Sequence, residues 1–242
     1  MHHVALGEPL SLGTLARRET LPVKPEAVIL GGERVRLAPL ELDRDVETLH
    51  ALSNGKPARI GQREVGAYDP DALVWRYMFG GPFSDADALA AYLRVQVETP
   101  DGLCLCVHDA PSDTPIGVVN FVANSPQHLK VEIAGVWYSP LAQRTGANTE
   151  ATYLMLLHAF GLGYRRVEWK CDSLNARSRA AALRMGFTFE GIQEAHYIVK
   201  GRNRDTAWFR ILDREWDAVR THLEALLMRE PLGQGYHESH HG

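Results

Sequence analysis

Three β-rich stretches follow one another in the middle of the chain, Leu103–His108, Ile116–Val122 and Val131–Tyr138, separated only by turns bearing Pro, Asp and Asn. Strands this close in sequence pair as an antiparallel meander, because a parallel partner needs a crossover of a dozen or more residues. That argues against a doubly wound parallel sheet. The flanking segments add helices and further strands, so the fold class read here is α/β (α+β): a mixed, largely antiparallel central sheet flanked by helices.

The remaining punctuation is regular from Glu33 onward. Arg34–Leu37 reads as a first strand and Asp43–Leu52 as a helix with Val46, Leu49 and Leu52 on one face. Ser53–Asp71 is a long Gly-containing loop on the side where a substrate would enter. Ser84 is placed to cap a helix reaching about Val97. After Pro140 a helix runs from about Thr149 to Leu162. Arg166–Cys171 alternates as a strand, with Val167, Trp169 and Cys171 on one face. A helix over Ala176–Met185 precedes Gly186, strands near Glu194–Lys200 and Thr206–Leu212 flank a GRNRD turn, and Asp213 can cap a last helix to about Met228. Residues 1–32, with Pro9, Pro22 and Pro25, read as an extended arm that either packs on a second copy in a homodimer or stays disordered. Residues 33–228 form the one folded domain, and 229–242 a flexible tail carrying His237, His240 and His241.

Composition narrows the function. The 242 residues carry a formal net charge of -4, which offers nucleic acid or an anionic membrane no general attraction. No apolar run spans a bilayer, and the opening MHHVALGEPL lacks the order of a secretory signal. Three cysteines make no even disulfide framework, so reduced thiols in the cytoplasm are expected. Cys104 and Cys106 read as a buried pair on one strand face. Zinc would need more ligands at suitable spacing, and no metal site is expected.

The chemistry concentrates in residues 131–160. A strand ends at Pro140, a polar loop with Gln143, Arg144, Thr145 and Gly146 follows, and a helix opens. Backbone N–H groups at a helix N-terminus hold phosphate oxygens well, Gly146 permits close approach, and Arg144 adds a charged donor. An ordinary strand–turn–helix connection would carry the same Gly and Thr. A Walker loop is excluded, since no Gly-Lys-Ser/Thr follows, and so is a G-x-G-x-x-G fingerprint.

The order of elements resembles the GNAT superfamily, and within it the RimJ/RimL-like branch. Its pyrophosphate loop, [Gln/Arg]-x-x-Gly-x-[Gly/Ala], is met at Gln143 and Gly146. Asn148 replaces the small last residue but is still able to cap the helix. The run Thr149-Glu150-Ala151 is common in that branch. Asn-x-x-Ser, helix, Gly-Phe-x-x-Glu-Gly recurs as Asn175, Ser178, Gly186, Phe187, Glu190 and Gly191, although Asn175 and Ser178 are equally suited to starting that helix. The resemblance covers about Glu33 to Leu212. It implies an acetyl-CoA-dependent N-acetyltransferase acting on a primary amine, such as a protein N-terminus or a small molecule. The alternatives are a non-catalytic CoA-binding module and a longer acyl donor.

From the resemblance, the loop Gln143, Arg144, Thr145, Gly146, Ala147, Asn148 and Thr149 would hold the pyrophosphate. The sheet would splay beside Val131–Tyr138, so that main-chain groups around Val136, Trp137 and Tyr138 meet the pantetheine, with Gly135 marking a bulge. Asn175 and Ser178 would face the cofactor arm. Trp137 and Tyr138 are equally at home as core aromatics. Glu132 is the candidate base, its alternative being a solvent-facing or Arg-paired carboxylate. Ser178 is the candidate acid for the leaving thiolate, with Tyr197 as another phenolic choice. Lys200, Arg202 and Arg204 read as a solvated turn, the alternative being contact with an acidic or phosphorylated acceptor; Arg165 and Arg166 read as solvent flanks of a strand, and His158 as a packed core histidine.

Overall fold

The computed structural model describes residues 7–229. The remainder of the tail, with His237, His240 and His241, lies outside the described residues. An eight-stranded sheet runs in the order β1 (Leu30–Gly31), β2 (Val35–Pro39), β5 (Leu103–Asp109), β6 (Thr114–Ser125), β7 (Lys130–Tyr138), β8 (Arg166–Asp172), β10 (Arg202–Leu212) and β9 (Thr188–Val199). Every pairing is antiparallel except β7 with β8. That pair is joined through helix α4 (Ala147–Gly161), as a parallel connection requires. β3 (Ala58–Ile60) and β4 (Arg63–Val65) make a separate hairpin inside the segment expected to be loop.

Alternation along the strands builds two cores. Leu105 and Val107 of β5 join Val131, Ile133, Val167 and Trp169 beneath α4, α5 (Ala176–Arg184) and α6 (Trp216–Arg229). Cys104 and Cys106 face the other way, into a layer made with α2 (Leu42–Ala51) and α3 (Ala86–Val97). Among the described residues no helix is long and apolar enough to cross a membrane.

Several expected boundaries move for local reasons. Residues 7–32 are not simply extended: Leu12–Ala16 form helix α1, capped by Ser11, and Leu21 is buried. The segment is anchored where Asn124 Nδ2 donates to the carbonyls of Pro22 and Val23, both at 2.8 Å. Asp85, not Ser84, caps α3, since its carboxylate accepts from Ala88 N while Ser84 Oγ donates to that same carboxylate. Asp213 opens a 3-10 turn rather than capping α6, and Glu215 accepts from Leu212 N at 3.1 Å.

The β9–β10 connection is a two-residue turn, Lys200 and Gly201, both at positive φ (51° and 72°). Arg202 and Arg204 therefore lie in β10, and the solvated cationic turn is corrected. Lys200 Nζ donates to Trp75 O at 2.7 Å, and Arg204 is 5% exposed. Arg166 likewise does not flank its strand in solvent. It pairs with Glu168 at 2.6 Å and with Glu190, the acidic residue of the Gly-Phe-x-x-Glu-Gly run. His158 is half-buried against Phe121, and burial lowers its pKa.

Candidate functional site

β7 and β8 pair from Lys130–Arg166 to Ile133–Trp169 and no further, while β8 continues to Asp172 against β10. Beyond Ile133 the β8-facing edge of β7 has no ladder partner, and Ala134, Gly135 and Val136 are half-exposed. The cause is local. Val118–Asn120 of β6 opposes Ala134–Trp137 of β7, so β7 carries one extra residue, a bulge at Gly135 with φ +60°. Asn120 Nδ2 donates to Gln96 Oε1 (3.0 Å) and Ala134 O (3.4 Å), and it lies 2.6 Å from where a Cβ on Gly135 would stand. Gly135 is thus required twice, for its dihedral and for this approach. Asn120 went unnoticed in the sequence, and Gln96 reads there only as one of the residues at helical spacing, because nothing marks their contact.

The aromatic side chains after the bulge belong to the cores. Trp137 packs against Trp75 with centroids 4.7 Å apart and the rings tilted by 47°, and Tyr138 is buried on the opposite side. Burial raises the Tyr138 pKa. Their main chain pairs with Val118 and Gly117 of β6.

The loop after β7 ends on Gly146, whose φ of 81° makes it the N-cap of α4. The helix starts at Ala147, two residues earlier than expected, so Asn148 sits in its first turn instead of capping it. The Asn148 amide points to Met185 Sδ at 4.0 Å. Thr145 Oγ1 donates to Ala142 O (2.8 Å), and Arg144 adopts positive φ (62°). Gln143 is an internal brace: its Nε2 donates to Leu73 O (3.0 Å) and Tyr138 O (3.3 Å), and its N–H to Pro140 O. Thr149 is buried and accepts from Arg184 at 3.1 Å.

Leu73 belongs to a single π turn, Asp71–Trp75, whose wider winding frees carbonyls. Ala72 O accepts from Arg177 of α5, Leu73 O from Gln143, and Trp75 O from Lys200. One turn thereby ties together three segments distant in sequence, a link no motif announced.

Glu150, in the first turn of α4, has a structural task. Its carboxylate accepts from the backbone N–H groups of Glu33 (3.1 Å), Arg34 (2.7 Å) and Val35 (2.8 Å), pinning the start of β2 to the helix.

On the sheet face away from α4, Glu132 is 1% exposed and its Oε2 meets Lys170 Nζ at 2.9 Å. Its Oε1 has no hydrogen-bond partner. Burial raises the Glu132 pKa, and Lys170 pulls against that rise without cancelling it. Lys170 lies 4.9 Å from the Trp208 ring and 6.0 Å from that of Tyr197. Ser178 is on the other face, where its Oγ accepts from Trp169 Nε1 at 3.1 Å. Asn175 caps α5 by accepting from Ser178 N. The structure thus separates the expected residues: Glu132 and Tyr197 stand on one side of the sheet, Ser178 and Asn175 on the other.

Cys106 is less isolated than its sequence neighbours suggested, since Asp45 of α2 and His108 come close enough with it to hold a metal ion. Burial, and then Asp45, raise its thiol pKa.

Residues 34–188 match the sequence profile of the family described as acetyltransferase (GNAT) domain. No curated protein matches the chain. A GCN5-related N-acetyltransferase from Brucella melitensis is 36% identical over 84% of this chain and 87% of its own, with a TM-score of 0.76. A probable GNAT-family acetyltransferase from Chromobacterium violaceum is 36% identical over 88% and 98%, with a TM-score of 0.74. An acetyl transferase from Salmonella typhimurium that modifies the N-terminal serine of a 50S ribosomal subunit protein shares the fold alone, at 18% identity over 76% and 99% and a TM-score of 0.62. With its splayed sheet, its glycine-capped helix and a profile match over most of its length, the chain belongs to the GNAT acetyltransferase family and is an acyltransferase.

Proposed function

We propose that this chain transfers the acetyl group of acetyl-CoA to a primary amine, as a cytoplasmic enzyme of the RimJ/RimL-like branch. The observation that carries the reading is the end of the β7–β8 ladder at Ile133–Trp169 together with the left-handed Gly146 that opens α4. The first leaves main-chain groups of Ala134–Val136 for a pantetheine amide. The second offers first-turn N–H groups, with no intrahelical acceptor, to a pyrophosphate. Arg144 and Thr145 flank that turn, and Gln143 holds the loop to the π turn.

Acetyl transfer forms a C–N bond and breaks the thioester C–S bond. The acceptor ammonium first loses a proton, and the leaving thiolate gains one. Glu132 takes the proton on Oε1, the oxygen that Lys170 leaves without a partner, either directly or through water. Its raised pKa makes it a stronger base than an exposed carboxylate. Ser178 stands on the face of α4 and α5, the cofactor side. Its Oγ accepts from Trp169 Nε1, which leaves its hydroxyl hydrogen free to be given to the leaving thiolate. Tyr197, on the Glu132 side, suits acceptor contact better than thiolate protonation.

Calorimetry with acetyl-CoA tests the reading. Wild type binds, Gly146→Glu loses binding by placing an anion at the phosphate site, and Gly146→Ala isolates the backbone strain of φ 81°, about 1 kcal/mol. A wild type that does not bind acetyl-CoA, or a folded Gly146→Glu that binds as well as Gly146→Ala, would sink it.

A further inference from the structure

Arg204 is buried with no carboxylate in ion-pair contact, although the charges of Asp172 and Glu132 act on it from a distance. Its side chain rises from β10 opposite Tyr197 of β9 and lies 4.5 Å from the centroid of Phe79 and 5.6 Å from that of Tyr197. The residue is 5% exposed, and its Nε and Nη1 have no hydrogen-bond partner. Among the described residues no carboxylate lies within ion-pair reach of it. The neighbouring acids are engaged: Asp172 Oδ1 accepts from Leu174 N (2.9 Å), Asp205 Oδ1 from Ala195 N (2.8 Å) and Asn203 Nδ2 (2.9 Å), and Glu132 holds Lys170. An arginine this deep is normally matched by an anion, since an unpaired buried charge is costly.

The location says which anion. Arg204, Trp208 and Lys170 share the sheet face that carries Glu132, beside the gap between β7 and β8. The Tyr197 ring bridges Lys170 and Arg204, so one aromatic ring separates the candidate base pair from the guanidinium. Phe79, which covers Arg204, is 51% exposed, so the covering ring is itself open to solvent. A planar guanidinium between aromatic rings suits a carboxylate, which it holds through two parallel N–H···O bonds.

We propose that Arg204 binds the carboxylate of the acceptor, so that the amine acetylated here belongs to a free amino acid. This rests on the acetyl-transfer reading above. The acceptor's ammonium lies towards Glu132 and its carboxylate towards Arg204, with the side chain between Phe79, Tyr197 and Trp208.

The test follows thiol release from acetyl-CoA, after calorimetry has established whether the donor binds. Probes are glycine, L-alanine, L-methionine, L-phenylalanine, L-tryptophan, β-alanine and γ-aminobutyrate, each against its neutral amide. At least one acid should exceed its amide in kcat/KM by roughly 10- to 100-fold, the range of a charge-assisted bond to a buried group. Arg204→Met should abolish that ratio, chiefly through KM for the acid. Arg204→Lys, a point charge without the fork, should restore only part of it. Circular dichroism and acetyl-CoA binding check that both variants fold. Amides that match or exceed their acids, or no turnover of any acid by a protein that binds acetyl-CoA, overturn the proposal and leave peptide or simple amines. Failure to bind acetyl-CoA, seen before any acceptor is added, removes the transfer reading and this site with it.

Discussion

Replacing Glu150 tests whether the site's rigidity comes from one carboxylate. Its side chain accepts three backbone N–H groups, two on Oε2 (Arg34 at 2.7 Å, Val35 at 2.8 Å) and one on Oε1 (Glu33 at 3.1 Å), with Arg34 Nη1 3.7 Å away. In Glu150→Ala the buried Val35 N–H keeps its full desolvation penalty, about 1–3 kcal/mol. The Glu33 and Arg34 groups are partly hydrated and contribute about 0.5–1.5 kcal/mol each. The helix loses a favourable charge in its first turn, about 0.3–1 kcal/mol. These terms overlap, and a loss of about 3 kcal/mol is expected, or a melting temperature lower by about 6–12 °C for a chain of this size. Glu150→Gln keeps a carbonyl oxygen for Arg34 and Val35 and turns an amide against Glu33 N, so about half that loss is expected. A Cβ on Gly32 would stand 2.5 Å from Glu150 Oε2, so Gly32→Ala displaces the same carboxylate. Urea denaturation of both single variants and the double variant closes a cycle. The double variant should lose clearly less than the sum. Strict additivity, or a Glu150→Ala loss under about 1 kcal/mol, refutes the clamp.

Glu132→Gln should lower kcat by about 100-fold or more with acetyl-CoA binding retained, and the acidic limb of the pH–rate profile, where the rate rises as Glu132 loses its proton, should disappear. The folded Glu132 pKa is raised, so its stabilising contribution is full below the unfolded carboxylate pKa and is lost as pH rises through the folded one. Urea midpoints of wild type relative to Glu132→Gln should therefore fall between acid and neutral pH, and a constant difference would place Glu132 in water. Burial raises all three thiol pKa values, that of Cys104 to about 12, so a disulfide reagent at pH 8 should modify none of them until the chain unfolds. Rapid labelling of the native protein would contradict that burial.

Much of the fold was legible before any coordinates. The meander over β5, β6 and β7 follows from alternation and short turns, and Gly135 and Gly146 were recognisable because a glycine in a strand or before a helix has few reasons to be there. The misread positions share a cause. Lys200, Arg202 and Arg204 look like a polar turn in sequence, yet the turn needs only the two positive-φ residues Lys200 and Gly201, which returns Arg204 to the strand and buries it. Arg166 looks solvated in sequence, yet it forms an ion pair across the sheet with Glu190.

What the sequence determined by itself is therefore what depends on neighbours along the chain: strand alternation, the glycines that special dihedrals demand, the helix start that can face a phosphate, and hence the family. What only the tertiary structure decided depends on neighbours far apart in it. Where β7 leaves β8, which oxygen of Glu132 Lys170 takes, that Ser178 and Tyr197 stand on opposite faces, and that three segments meet on the carbonyls of one π turn are all contacts between distant residues. The physical reason is that burial and charge pairing are properties of a place in space, and local spacing carries no record of which segments will share it.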